Sequence, residues 1–309
     1  MGAGCRAQAA PIRTGKDVRM KINRLETKHC LVGEGPVWDV AEQALYFVDI
    51  VGRQLHRHHP GSGVTTSWTT PGVIGSLALR ATGGALLALP DGIYTLDFGS
   101  GEVAALARPG DVDPRIQFND GKVDRHGRFI VGSTDSNLQD TRPIGSLYSL
   151  DANHALTVID TGIHISNGPC WSPDNKTFYF SDSLLHSIYA YDYDLATGAV
   201  ANRRLFASTR DLGGIPDGAT VDRDGLMWMA ICEGAKIVAF RPSGAIERII
   251  DMPVKLPASV MFGGPDLDLL YVTSIDPTVL GRPAEDDGGH TFVIEGLGAR
   301  GIAEPRYAG

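Results

Sequence analysis

Three short islands of oxygen-bearing side chains lie far apart along the chain: Gly33-Glu34-Gly35-Pro36, Ser166-Asn167-Gly168-Pro169 and Pro216-Asp217-Gly218. Each stands just before a stretch that reads as a β-strand. A carboxylate from Glu34, an amide oxygen from Asn167 and a carboxylate from Asp217 make an oxygen-only donor set. Such a set suits Ca2+, Mg2+ or Mn2+ better than a metal that seeks thiolate. With so few protein donors, water or substrate would complete the shell, as in a catalytic site. Glycine follows each donor and lets the backbone turn sharply and approach a ligand. Asn-Gly and Pro-Asp-Gly are also ordinary turn sequences, so either one alone reads as a turn. Glu34 is different, because no tight turn selects glutamate. A fourth island, Phe118-Asn119-Asp120-Gly121-Lys122, again precedes a strand.

The elements that must position these residues repeat. A turn rich in Asp, Gly or Asn, then a short apolar strand, then a small or acidic residue appears at 39–50, 80–89, 124–135, 172–183, 222–231 and 263–275. Successive copies lie about 40–50 residues apart, the period of a four-stranded propeller blade. Between them lie partner strands such as Gly92–Leu96, Ser187–Tyr191 and Lys236–Phe240, ending in Asp-Gly, Ser-Gly or Thr-Gly turns as hairpins do. No long 3.6-residue apolar period occurs, so helix content should be low. The expectation is an all-β, six-bladed β-propeller with a metal site in its central channel. Residues 1–19 read as a disordered tail or an early start, and residues 20–309 as a single propeller domain. Two packed β-sandwiches are the bland alternative.

Composition removes several classes of function. A net charge of −8 leaves no basic stripe to neutralise phosphates, which excludes nucleic acid. No apolar run approaches the roughly 18–20 residues that span a bilayer, and no secretory h-region precedes Met20. Cys5, Cys30, Cys170 and Cys232 show no CxxC spacing, so they read as buried hydrophobes in a reducing, cytoplasmic setting. No GxSxG elbow and no HExxH pair exists, which argues against a serine nucleophile and a zincin. His164 reads as a strand residue lacking a partner carboxylate motif. His56, His58 and His59 read as surface.

The segments GEGPVWD at Gly33–Asp39, FNDGKVD at Phe118–Asp124, NGPCWSPDNKTFYFSDS at Asn167–Ser183, PDGATVDRDG at Pro216–Gly225 and FGGPDLDLLYVTS at Phe262–Ser274 occur in order. Together with the closing GIAEPRY they resemble the senescence-marker-protein/gluconolactonase/luciferin-regenerating-enzyme family, which includes regucalcin and the sugar lactonases. The resemblance implies one divalent metal ion (Ca2+, Zn2+, Mg2+, Mn2+ or Fe2+) held by Glu34, Asn167 and Asp217. It implies hydrolysis of a small-molecule sugar lactone to the aldonic acid in carbohydrate metabolism, with Asp217 as the catalytic carboxylate. It also places Asn119 at the substrate. Family members usually carry Arg two residues before that Asn, where this chain has Gln117, a neutral group in place of a charged fork. Arg115, two residues further back, shares that face of a strand if no bulge intervenes. Asp135 or Asn137 stands nearest to the family's acidic substrate contact. Rival readings are a paraoxonase-like esterase or phosphotriesterase, a non-enzymatic calcium-binding regulator, and a propeller interaction module.

Overall fold

The apolar strand of the repeated phrase is the second strand of each blade in the computed structural model, which describes residues 20–309 apart from Asp111 and Gln139. The tail expected over residues 1–19 lies outside the described residues. These second strands are β3 (Ala44–Asp49), β7 (Ala85–Leu89), β11 (Phe129–Asp135), β15 (Thr177–Asp182), β19 (Met227–Cys232) and β23 (Leu269–Ser274). They are buried almost throughout, which is why they read as apolar runs rather than alternating ones.

Each pairs antiparallel with an inner strand and with a third strand, and an outer strand completes six four-stranded sheets. The inner strands are β2 (Gly33–Asp39), β6 (Ser76–Leu79), β10 (Ile116–Val123), β14 (Ser166–Trp171), β18 (Ile215–Val221) and β22 (Pro257–Gly263). Each inner strand packs against the next, and β22 returns to β2, so the six form a closed ring around an axis. Closure is made by pairing distant parts of the chain. The last blade takes its outer strand β1 (Lys21–Arg24) from the start of the described chain, set antiparallel against β24 (Phe292–Glu295). A ring closed this way leaves no open sheet edge on its inner face. Among the described residues the only helical segments are two short 3-10 turns, Arg210–Leu212 and Pro277–Leu280.

The final segment crosses the end of the ring at which the inner strands finish. Gly301 bridges to Asp222, Tyr307 bridges to Arg80, and Arg125 Nη1 donates to the Ala303 carbonyl at 2.6 Å. Arg306 pairs with Asp39, and the buried Tyr307 hydroxyl donates to the Asp151 carbonyl at 2.6 Å. Blades 1, 2, 3 and 5 are thus tied at that end.

One buried polar cluster links blades 3 and 4 and is fully paired. Asp124 is fully buried and accepts from the Arg128 guanidinium at 2.7 Å, the Arg128 and His126 amides at 2.8 and 2.9 Å, and the Tyr193 hydroxyl at 2.6 Å. Cys30, Cys170 and Cys232 are buried and unpaired, as their spacing implied. The surface reading of His56 and His58 is corrected: both are buried in β4 (Gln54–His59), because a serine and a threonine on β5 (Val64–Thr69) satisfy them. His56 Nδ1 lies 2.8 Å from Ser67 Oγ and His58 Nδ1 lies 2.9 Å from Thr65 Oγ1.

Removing the carboxylate of Asp124 strands a buried guanidinium. Asp124→Ala should therefore lower unfolding stability by about 3–5 kcal/mol, measured by urea denaturation. Burial pushes the His56 imidazole from 6.5 down to about 4, against the opposing pull of Asp49. The unfolded chain therefore takes up a proton that the folded chain refuses between those values. Stability supported by neutral His56 is present above pH 6.5 and is lost as pH falls towards 4, and His56→Gln should flatten that part of the stability curve.

Candidate functional site

The islands are not turns ahead of strands. They lie within the inner strands, and each marks a β-bulge. Glu34 faces Val48 and Val37 faces Tyr46, three steps on β2 against two on β3. The same extra residue falls between Phe118 and Gly121 on β10, between Asn167 and Cys170 on β14, and between Pro216 and Ala219 on β18. A bulge re-aims side chains and breaks the flat ladder, so four inner strands turn their donors at one level. Of the two inner strands that carry none of these donors, β6 pairs without a shift and β22 shifts once, between Pro257 and Ser259. All four donors sit within the first four residues of their strands, at one end of the channel.

Glu34, Asp120, Asn167 and Asp217 are each buried. Glu34 and Asp217 are close enough for each to act directly on the ionisation of the other. Glycine permits this approach: Gly168 has φ +61°, and a Cβ there would sit 2.8 Å from the Asp217 carbonyl oxygen. Asn119 Nδ2 donates to the Ser166 carbonyl at 2.8 Å and to Asn167 Oδ1 at 3.0 Å. Asn167 Nδ2 donates to Ser183 Oγ at 2.9 Å, and Ser183 donates in turn to the Pro216 carbonyl at 2.6 Å. Both amides are thereby fixed in orientation, and Asn167 Oδ1 keeps a second lone pair.

The charges acting on this cluster are mostly of one sign. Burial raises Glu34 well above the ordinary carboxyl range, and Asp217 and Asp120 add to the rise. Burial, then repulsion from Asp120, pushes Asp217 up to about 8. Asp120 is also raised by burial, although Lys122 and the Gly168 and Gly121 amides, at 2.9 and 2.8 Å, oppose this. Buried carboxylates persist when paired or when they hold a cation. Glu34 and Asp217, with the Asn167 amide on the neighbouring inner strand, offer the oxygen donors that a hard divalent ion takes. Among the described residues, no group of three or more His, Cys, Asp or Glu side chains forms a metal centre by itself. The expected donor set includes an amide.

The blade 3 residues fall differently. Gln117 is half-buried and opposes Thr134 on β11. Asp135 is closed from solvent: its oxygens accept from both arms of Arg115 and from the Asn137 and Arg142 amides, both at 3.0 Å. Burial alone would raise its pKa, but these donors hold it down to about 2. Asp135 therefore fixes Arg115 and the backbone at Asn137 and Arg142 rather than meeting a ligand itself. Arg115 is spent on that pair and does not stand in for a free charge at Gln117.

Three features escaped the sequence reading. Asp120 joins blades 3 and 4 beside the carboxylate pair. Cys232 is buried near Asp217, and burial, then the Asp217 charge, raise its thiol so that it stays protonated. His164 does have a carboxylate partner: its Nδ1 lies 3.0 Å from Asp182 Oδ2, and it sits in the bend before β14 rather than in a strand. The FSDS motif contained Asp182, but only the fold brings it back to His164. A separate cleft of about 380 Å³ between blades 4 and 5 lies at the opposite end, among hairpin turns. Its Arg204 and Arg223 already donate to Asp192 and the Gly301 carbonyl, at 2.8 and 3.1 Å.

A six-bladed propeller with buried carboxylates and amides aimed into its channel defines the class. The chain belongs to the SMP-30/gluconolactonase/LRE-like family, whose model matches residues 32–276. Regucalcin from Xenopus laevis is 36% identical over 298 residues, covering 94% of this chain and 99% of the relative. Among solved structures, a luciferin-regenerating enzyme superposes with a TM-score of 0.86 at 29% identity, covering 94% of this chain and 100% of its own. A regucalcin from Agrobacterium tumefaciens, described as a calcium-binding protein, gives a TM-score of 0.83 at 27% identity, covering 92% and 96%.

Ionising Glu34 and Asp217 in the folded state is opposed, whereas the unfolded chain ionises them in the ordinary range. The contribution of this pair to the stability of chelator-treated protein should thus be greatest below that range and be lost as pH rises from it through about 8. Asp217→Asn removes one of the repelling charges and should flatten that slope, as read from urea midpoints between pH 5 and 8. Equal slopes in the two proteins would contradict the assignment.

Proposed function

We propose that this protein is a metal-dependent sugar lactonase, with Glu34, Asn167 and Asp217 holding one divalent cation. The supporting observation is the buried Glu34–Asp217 pair, which places two carboxyls together with further negative charge from Asp120. Family membership supports the same reading, because the family description names gluconolactonase. A divalent cation bound there supplies Lewis-acid polarisation of the lactone carbonyl.

The chain's own residues supply the rest. Asp217 takes a proton from the attacking water as its oxygen bonds to the carbonyl carbon. The bond from that carbon to the ring oxygen then breaks, and the proton passes to the departing oxygen. The products are a hydroxyl and a carboxylic acid, which ionises. Asn119, fixed by the Ser166 carbonyl and Asn167, presents a rigid amide to substrate hydroxyls, and Gln117 offers a second neutral group above it. Asp135 contributes through Arg115, which it holds two residues before Gln117 on the chain. A site of fixed groups needs little reorganisation during reaction. Three buried free thiols accord with a reducing, cytoplasmic setting. Among the described residues no helix is long and apolar enough to cross a membrane.

A second reading, a calcium-binding regulator that does not hydrolyse lactones, draws on one solved relative being described as a calcium-binding protein. Turnover separates the two. Asp217→Ala should lower lactone hydrolysis by about 10²–10⁴-fold, the usual contribution of a general base, and by more if the cation is lost as well. Full activity in that variant would remove Asp217 from the chemistry. Wild-type protein loaded with calcium but inactive on sugar lactones and aryl esters would establish the second reading. Gln117→Arg should change the ranking of lactones more than it changes calcium affinity.

A further inference from the structure

Blades 3 and 4 meet above the carboxylate pair along a seam that the reaction described above leaves unused. Thr134 Oγ1 donates to the His164 carbonyl at 2.7 Å, so this face of β11 looks onto the segment that leads into β14. Gln117 stands directly opposite Thr134 in the β10–β11 ladder. Cross-strand partners project their side chains to the same face, so Gln117 also points towards the His164 segment. Two residues further along β10, Asn119 reaches the same segment and donates to the Ser166 carbonyl. Gln117, Asn119 and His164 therefore border one stretch of the channel mouth.

His164 is held in place there. Its amide donates to Asp182 Oδ2 at 2.9 Å, and its Nδ1 lies 3.0 Å from the same oxygen. The Ile165 amide takes the other Asp182 oxygen at 3.4 Å. Because a carboxylate only accepts, Nδ1 carries the hydrogen and Nε2 is the ring atom left for a ligand. The side chain remains 19% exposed, so it is reachable while its orientation is fixed.

The cations near this seam are committed. Arg115 is bound to Asp135 and to the Asp140 carbonyl at 2.8 Å, and Arg142 pairs with Asp113 at 3.2 Å. Lys122 donates to the Ala219 carbonyl at 2.7 Å. What faces the mouth is neutral: an amide, a second amide and an imidazole, above a floor of carboxyls. Such a wall favours hydroxyl groups and repels a phosphate or a second carboxylate.

We propose that His164, oriented by Asp182 and paired with Gln117, is a specificity-determining residue that binds a ring hydroxyl of an uncharged sugar lactone. This rests on the lactonase reading given above. The hydroxyl donates to Nε2 while the Gln117 amide holds its neighbour.

The experiment compares an uncharged sugar lactone, its analogue lacking one ring hydroxyl, and a phosphorylated sugar lactone, with wild type, His164→Ala and His164→Gln. Loss of one neutral hydrogen bond should raise KM for the hydroxylated lactone by about tenfold in His164→Ala, with kcat falling less. The preference for the hydroxylated over the deoxy lactone should shrink in parallel, and His164→Gln, which keeps a polar amide, should recover part of it. The rise in melting temperature on adding calcium should be the same in all three proteins, which shows that the cluster below is intact. An unaltered KM and preference in both variants, with wild type active, would overturn the role of His164 alone. Equal hydrolysis of the phosphorylated lactone by wild type would overturn the neutral subsite. Wild type inactive on every lactone would overturn the lactonase reading and this one with it.

Discussion

Two carboxyls distant in sequence, Glu34 in the first blade and Asp217 in the fifth, are buried close enough to act on each other. That pair is the constraint to which the rest of the structure answers. Left as two anions it is repulsive, and burial magnifies the repulsion because little water is present to screen it. A protein keeps such a pair only if the scaffold is stiff enough to hold it. The propeller ring meets that need: each inner strand is wedged between two others, and the first and last described strands are paired to lock the circle.

The bulges connect that scaffold to the site. Without the extra residue, an inner strand would continue its regular alternation and the donors of adjacent blades would not meet at one level. The same three-against-two shift recurs at Glu34, Asn119, Asn167 and Asp217, while β6 has none and β22 shifts two residues against one at Pro257–Ser259. A second recurring device fixes the segments leading into the inner strands. Asp49 and Asp182, at the ends of their second strands, accept backbone amides from residues 31–32 and 164–165. Asp135 holds its own loop in a similar way. Acidic residues that could be taken for ligands thus divide into two populations: those that hold the loops, and those turned into the channel.

The blade period was legible because the second strands are buried on both faces and bounded by polar turns, so each prints an apolar run at a regular interval. The islands stand out by residue type but read as turns ahead of strands, whereas they lie within the inner strands. Asn-Gly and Asp-Gly look alike locally whether the chain is turning or bulging, and only the pairing register of the neighbouring strand tells them apart. The histidines show the same limit. His56 and His58 sit in a polar stretch, yet Ser67 and Thr65 on the neighbouring strand let them be buried. His164 lacked a nearby carboxylate in sequence and found one 18 residues later, across a strand pair. Arg115 could have faced the site alone; the fold gives it to Asp135 instead. In each case the local residue type was read correctly and the missing information was a partner distant along the chain.

The claim that matters most is that the opposed carboxyls are built to be bridged by a cation. Calorimetric titration of chelator-treated protein with calcium, repeated on Glu34→Gln, tests it most directly. One ion bound per wild-type chain, with binding severely weakened when the Glu34 charge is removed, is the result that follows from this structure. No binding to the wild type of any divalent ion tried in calcium's place, or binding that ignores the loss of Glu34, would contradict it.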